Sequence, residues 1–265
     1  QAKFLGGKEV IVTGNCNYLY SCDVETSAIK KIHCIKGPNG LYIEKYNIFD
    51  ISPDNSCIAF SMENTGYVVL VSTKTKNWIA EFKLNCPART LSFSPDGNYI
   101  LASGKDSEIF KFDMKMRRCV RRLYNEGGSG TSSMCIAPND NYFSKRFTAV
   151  GSDSGIVNLY DESFGNEKAS IGVVHPKPMH AFKNLTTSVS TMKFNHDAQI
   201  LAIASNLKRD AFRLVHVASN SVFANWPTSR TPIGYAHSFD FSPQSKYLAV
   251  GNDIGKVLLY RLNHY

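Results

Sequence analysis

No stretch of this chain stays apolar for the ~20 residues that a membrane-crossing helix needs, and no charged leader followed by an apolar core opens it. The absence excludes a helical membrane span. The seven cysteines form no C-x-x-C pair, and most fall in strand-like runs. They are expected to be free, buried thiols of a reducing compartment. The seven histidines show neither H-E-x-x-H nor any paired spacing, which speaks against zinc. The G-x-S-x-G elbow of esterases is missing. The GGSG at 127–130 lacks the Gly-Lys-Ser/Thr of a phosphate loop and precedes no helical pattern, so it is expected to be a flexible linker. Nowhere do an acid, a base and a cavity signal coincide. An enzyme is not expected, and no cofactor or metal is called for.

What the chain does contain is repetition. Residues 91–113 read LSFSPDGNYILASGKDSEIFKFD. Asp96-Gly97 is a tight-turn signal, because Gly takes positive φ without a steric cost and Asp tolerates it. Alternating apolar residues on either side suit half-buried strands. The same skeleton returns as FDISPDNSCIAF from 49, MCIAPNDNYF from 134, MKFNHDAQILAI from 192 and FDFSPQSKYLAV from 239. Its anchor position, held by Pro53, Pro95, Pro138, His196 and Pro243, recurs at spacings of 42, 43, 58 and 47 residues. A weaker copy opens the chain at 8–23. A reactive loop does not occur six times, so the motif is structural punctuation.

A period near 40–45 residues with four strand-like segments per unit is the signature of an all-β, WD-repeat β-propeller. The clearest unit divides into strands a at 89–94, b at 98–103, c at 108–113 and d at 118–123. Phe112-Asp113, Tyr160-Asp161 and Cys22-Asp23 stand where such repeats carry Trp-Asp, and Asp106, Asp153 and Asp253 stand in the turn between strands b and c. No Gly-His pair precedes a strand a, so the repeats are degenerate. Residues 1–265 are expected to form one domain of six blades, with repeats at about 1–33, 45–82, 88–123, 131–185, 188–226 and 235–265. The last unit lacks its strand d, which predicts 23 strands. The chain starts with Gln1 rather than Met, and a longer protein is expected to supply a closing strand and a seventh blade from upstream. The fourth repeat is expected to carry long a–b and c–d connections, the latter from about Glu162 to Val174.

Net charge is +8. The window 111–122 holds Lys111, Lys115, Arg117, Arg118, Arg121 and Arg122 against Asp113 alone, a local balance of +5. Two readings fit it. The cations bind RNA phosphate or an acidic protein partner, or they protect an outer strand from unwanted pairing. A smaller group, Lys208, Arg209 and Arg230, is assigned to the b–c and d–a turns, on one face of the repeats.

Wording beyond the generic pattern carries a further signal. KPMHAFKNLTTSVSTMKFN at 177–195, LAIASN at 201–206, RLVHVASNSVFANWP at 213–227, GSDSGIVNLYD at 151–161 and GKVLLYRLNHY at 255–265 resemble the WD-repeat proteins associated with the U-three small nucleolar RNA, subunits of the small-subunit processome. That resemblance implies a nucleolar, non-enzymatic scaffold for ribosomal RNA processing and small ribosomal subunit assembly. It implies partners among other propeller and helical-repeat subunits, with small nucleolar RNA and precursor ribosomal RNA nearby. In that family an upstream extension recruits an exosome helicase, and no residue here matches it. The competing class is a substrate receptor of a ubiquitin ligase.

Overall fold

The computed structural model describes all residues except 15, 34, 39–41, 63–64, 128, 139–145, 162–163, 165–172, 229 and 264–265. Among the described residues every regular element is a strand. Successive antiparallel meanders follow one another along the chain, as the blades of a WD-repeat β-propeller do. The first is β1 (Ala2–Leu5), β2 (Glu9–Thr13), β3 (Tyr18–Asp23) and β4 (Ile29–His33); the second is β5 (Phe49–Ile51), β6 (Cys57–Ser61), β7 (Tyr67–Ser72) and β8 (Trp78–Lys83). The third holds β9 (Thr90–Phe93), β10 (Tyr99–Ser103), β11 (Glu108–Asp113) and β12 (Arg118–Tyr124). The fourth is β13 (Thr131–Ile136), β14 (Thr148–Ser152), β15 (Val157–Tyr160) and β17 (His180–Phe182); the short β16 (Val173–Val174), between the last two in the chain, pairs with β12 instead. The fifth is β18 (Thr191–Phe194), β19 (Ile200–Ala204), β20 (Phe212–His216) and β21 (Ser221–Val222), and the sixth β22 (Ala236–Phe241), β23 (Tyr247–Asn252) and β24 (Val257–Arg261).

The described strands number 24, one more than the repeat pattern predicts. The extra one is β16, a pair of valines just ahead of Pro176 inside the long fourth-repeat connection, where no alternation marks a strand. The bulk of that connection, and the fourth repeat's a–b turn at 139–145, lie outside the described residues.

The chain divides into two compact units, Gln1–Arg122 and Leu123–Tyr265. In the first, Ile11 and Leu19 pack with Phe49, Phe60 and Val69, and Ala59, Leu70 and Phe82 with Leu91, Ile100 and Phe112. Phe82 stacks on Phe112 at 4.6 Å between centroids; a buried Phe of this kind contributes about 1.5–3 kcal/mol. The first strands are also tied by charge. Lys3 Nζ lies 2.6 Å from Asp50 Oδ1, while Asp50 Oδ2 accepts the Phe93 N–H at 2.8 Å. In the second unit, Leu159 and Phe182 pack with Met192, Leu201 and Val215, and Phe212 with Phe239, Leu248 and Val250. Lys193 pairs there with Asp240 at 2.5 Å.

The repeated motif closes the same way each time. In the four described a–b turns of this type, Asn55, Gly97, Ala198 and Ser245 sit at φ of 56°, 69°, 59° and 54°. Each donates its N–H to the carbonyl three residues back, on Ser52, Ser94, Asn195 and Ser242, at 2.8–3.2 Å. The side-chain oxygen of that same residue then accepts the N–H of Cys57, Tyr99, Ile200 or Tyr247. A type I turn followed by a left-handed residue is what a short hairpin needs to match strand twist.

Two expectations need correction. The whole stretch 124–133 around the GGSG reads in the sequence as a flexible loop, but it is held at its start, where β12 runs to Tyr124. Asn125 is fully buried, and its Oδ1 accepts from Tyr160 Oη and Asn158 Nδ2, both at 2.9 Å. Burial pushes the Tyr160 phenol up from its ordinary pKa. The cysteines are free among the described residues, but of these only Cys57 is buried; Cys16, Cys22, Cys86 and Cys135 are half-buried, and Cys119 is exposed.

Candidate interaction surfaces

In the first unit, the six cations of 111–122 separate into two groups. Phe112 ends the buried run of β11, and Asp113 follows at the position where WD repeats carry aspartate. Its Oδ1 accepts the N–H groups of Lys115 and Met116, both at 2.8 Å. The carboxylate therefore folds the turn back on itself, and Arg117 completes it at φ 53°. Lys115, Met116, Arg117 and Arg118 are all exposed. Among the described residues, the Lys115, Arg117 and Arg118 side chains make no ion pair. Three cations thus crowd four consecutive positions on a turn fixed by main-chain bonds.

The other three lie along the sheet. Lys111 Nζ sits 4.2 Å above the Tyr99 ring, a cation–π contact. Arg122 Nη2 reaches Glu108 Oε2 at 2.9 Å and Oε1 at 3.2 Å, with the guanidinium 5.5 Å from the Phe110 centroid. Arg121 is half-buried. At the far end of β12, the His175 ring lies 5.0 Å from the half-buried Tyr124 ring, tilted by 43°. Sheet-internal pairing accounts for Arg122, and the turn accounts for the outward charge.

In the second unit, the β19–β20 turn carries Lys208 and Arg209, both exposed. Lys208 Nζ is 3.3 Å from Thr186 Oγ1, and Arg209 Nε is 3.7 Å from Asp210 Oδ2. Asp210 anchors the turn to the next connection. Its Oδ1 accepts from Ile233 N at 2.8 Å and Gly234 N at 2.9 Å, and its own N–H donates to Gly234 O at 2.8 Å. The β23–β24 turn joins the same patch. There Asp253 Oδ1 accepts from Tyr235 N at 3.2 Å and Asn252 Nδ2 donates to Ile233 O at 3.3 Å. Arg230 is exposed in the preceding turn, which Thr231 closes by donating its N–H to Thr228 O. Two of the aspartates expected in the b–c turns, Asp253 and Asp153, hold neighbouring connections: Asp153 Oδ1 likewise accepts from Ser188 Oγ at 2.8 Å. Charge counting overlooks three apolar side chains in this patch: Leu207, Tyr235 and Ile254, of which Leu207 and Ile254 are 65% and 71% exposed. The only sequence signal is an apolar residue inside an otherwise polar turn.

Among the described residues no group of three or more His, Cys, Asp or Glu side chains could hold a metal ion, and no helix is long and apolar enough to cross a membrane.

Residues 79–113 match the WD domain, G-beta repeat. Likeness to known proteins extends well past that segment. An Arabidopsis thaliana protein, the U3 small nucleolar RNA-associated protein 18 homolog, is 41% identical over 268 residues, covering 100% of this chain and 46% of its own length. The Homo sapiens homolog is 35% identical over 98% of the chain and 44% of its own length. The Saccharomyces cerevisiae protein is 32% identical over 97% of the chain and 48% of its own length. The chain thus spans about half the length of the curated relatives it matches. Likeness that runs from the first repeat to the last, well outside one WD signature, places the chain in the family of U3 small nucleolar RNA-associated protein 18 homologues.

Proposed function

We propose that this chain is a non-enzymatic scaffold acting in ribosomal RNA processing and small ribosomal subunit assembly. Its place is the nucleolus, within the small-subunit processome, among other propeller and helical-repeat subunits. The observation that carries this reading is the extent of the likeness: relatives named for association with U3 small nucleolar RNA align along the whole chain. The basic β11–β12 turn supports it, because three outward cations on a rigid turn suit a phosphate backbone. Lys115, Arg117 and Arg118 are the first contacts, with Lys111, Arg121 and Arg122 stiffening the sheet behind them. Lys208, Arg209 and Arg230 form a second contact surface, one for a protein partner rather than for phosphate.

Affinity purification of the protein from cells, with sequencing of its RNA and identification of its proteins, tests the reading. Recovery of U3 small nucleolar RNA, precursor ribosomal RNA and other propeller subunits is the expected result. Recovery of ubiquitin-ligase subunits without RNA would replace the scaffold by a substrate receptor.

A further inference from the structure

The patch around Asp210 in the second unit combines two kinds of side chain that RNA binding alone does not explain. Leu207, Ile254 and Tyr235 expose apolar surface, and Lys208, Arg209, Arg230 and Lys256 are exposed around them. The acidic groups within the patch are turned to internal work. Asp210 Oδ1 is occupied by the N–H groups of Ile233 and Gly234 and its Oδ2 faces Arg209, while Asp253 Oδ1 takes the N–H of Tyr235. Both carboxylates keep their charge, and Asp253 is itself exposed, so four cations face two anions and the patch stays net positive around its apolar residues.

The scaffold beneath them is fixed. Main-chain and aspartate bonds link 207–210 to 233–235 and then to 252–253, so the three turns form one surface. Gly234 holds φ at +81°, where a Cβ would come 3.1 Å from Asp253 Oδ1. A surface pre-ordered in this way loses little entropy when a partner binds.

We infer that this patch docks a protein segment that presents acidic side chains together with aliphatic ones. Charge complementarity selects the acidic component. The aliphatic Leu207 and Ile254 select a polypeptide over a nucleic acid, because nucleic-acid interfaces are strongly polar and positively charged, whereas apolar anchors inside a polar rim characterise protein interfaces. The β11–β12 turn of the first unit has a cation run and a single exposed Met, and it serves a different ligand class.

The test is a random peptide library displayed on phage and selected on the full 265-residue chain. Expected winners combine Asp or Glu with Leu, Ile, Val or Met. Leu207→Ser with Ile254→Ser should weaken a winning synthetic peptide about tenfold or more. Lys208→Glu with Arg230→Glu should do the same, and a peptide with its acids changed to lysines should bind this variant better than the parent. All four positions are exposed, and an unchanged thermal midpoint checks that each variant folds. The inference fails if no acidic–apolar peptide is enriched, or if neither variant weakens binding. It fails equally if the patch variants abolish binding of a mixed-sequence single-stranded RNA, or abolish self-association of the chain, since the occupant would then be RNA or a second copy.

Discussion

Replacing Lys115, Arg117 and Arg118 together by Gln removes three outward charges from a turn whose shape those side chains do not hold. Asp113 Oδ1 and the two main-chain N–H groups it accepts are left in place. If each cation neutralises one phosphate of single-stranded RNA, the slope of log K against log salt should become shallower by about 0.7 per contact, or about 2 in all. Between ~50 and ~200 mM salt the parent should then lose about 20-fold more affinity than the variant. Fluorescence anisotropy with a labelled single-stranded RNA at several salt concentrations measures both slopes. Arg122→Gln is the internal contrast. Its guanidinium is bound to Glu108, so this substitution should lower stability and leave the slope alone. An unchanged slope in the triple variant, or an equal change in Arg122→Gln, would refute the assignment of RNA contact to the turn.

Three further outcomes test the packing. Gly155→Ala would bring a Cβ to 2.6 Å from Leu185 O and 2.8 Å from Thr187 O, at φ +85°; it should cost at least ~2 kcal/mol, read as a fall in the urea midpoint. Phe112→Ala empties a site stacked on Phe82 and should cost about 3–5 kcal/mol by the same assay. Tyr160→Phe removes one of the donors to buried Asn125 Oδ1, and a loss of about 1 kcal/mol is expected; a stabilising effect would contradict the network.

The strands of the third sheet were legible to within a residue or two, because alternation of apolar side chains and an Asp-Gly turn are local properties. The same held for the b–c turn aspartates Asp153 and Asp253, whose short side chains reach the adjacent connection. Legibility ended where a contact depends on which residue of a neighbouring strand stands opposite. Arg122 and Glu108 lie 14 positions apart, and nothing local distinguishes Arg122 from Arg118, which points outward. Asn125 was unreadable for a related reason. A polar residue before a glycine run looks like loop, and only Asn158 and Tyr160, more than thirty positions away, give it a buried role. The two-residue β16 is too short for any period to show.

The recurring a–b turn has a consequence for how such a chain can change. Asparagine, glycine, alanine and serine occupy one left-handed position in four copies, and what they share is a main-chain N–H and the carbonyl it meets. The position constrains a torsion angle, not an identity, at a cost of about 1–2 kcal/mol for a residue with a Cβ. Substitutions there should register as small, graded shifts in stability and leave the hairpin's register intact. A repeat built this way can lose its recognisable letters one by one and keep its geometry, so its copies are better found by spacing than by spelling.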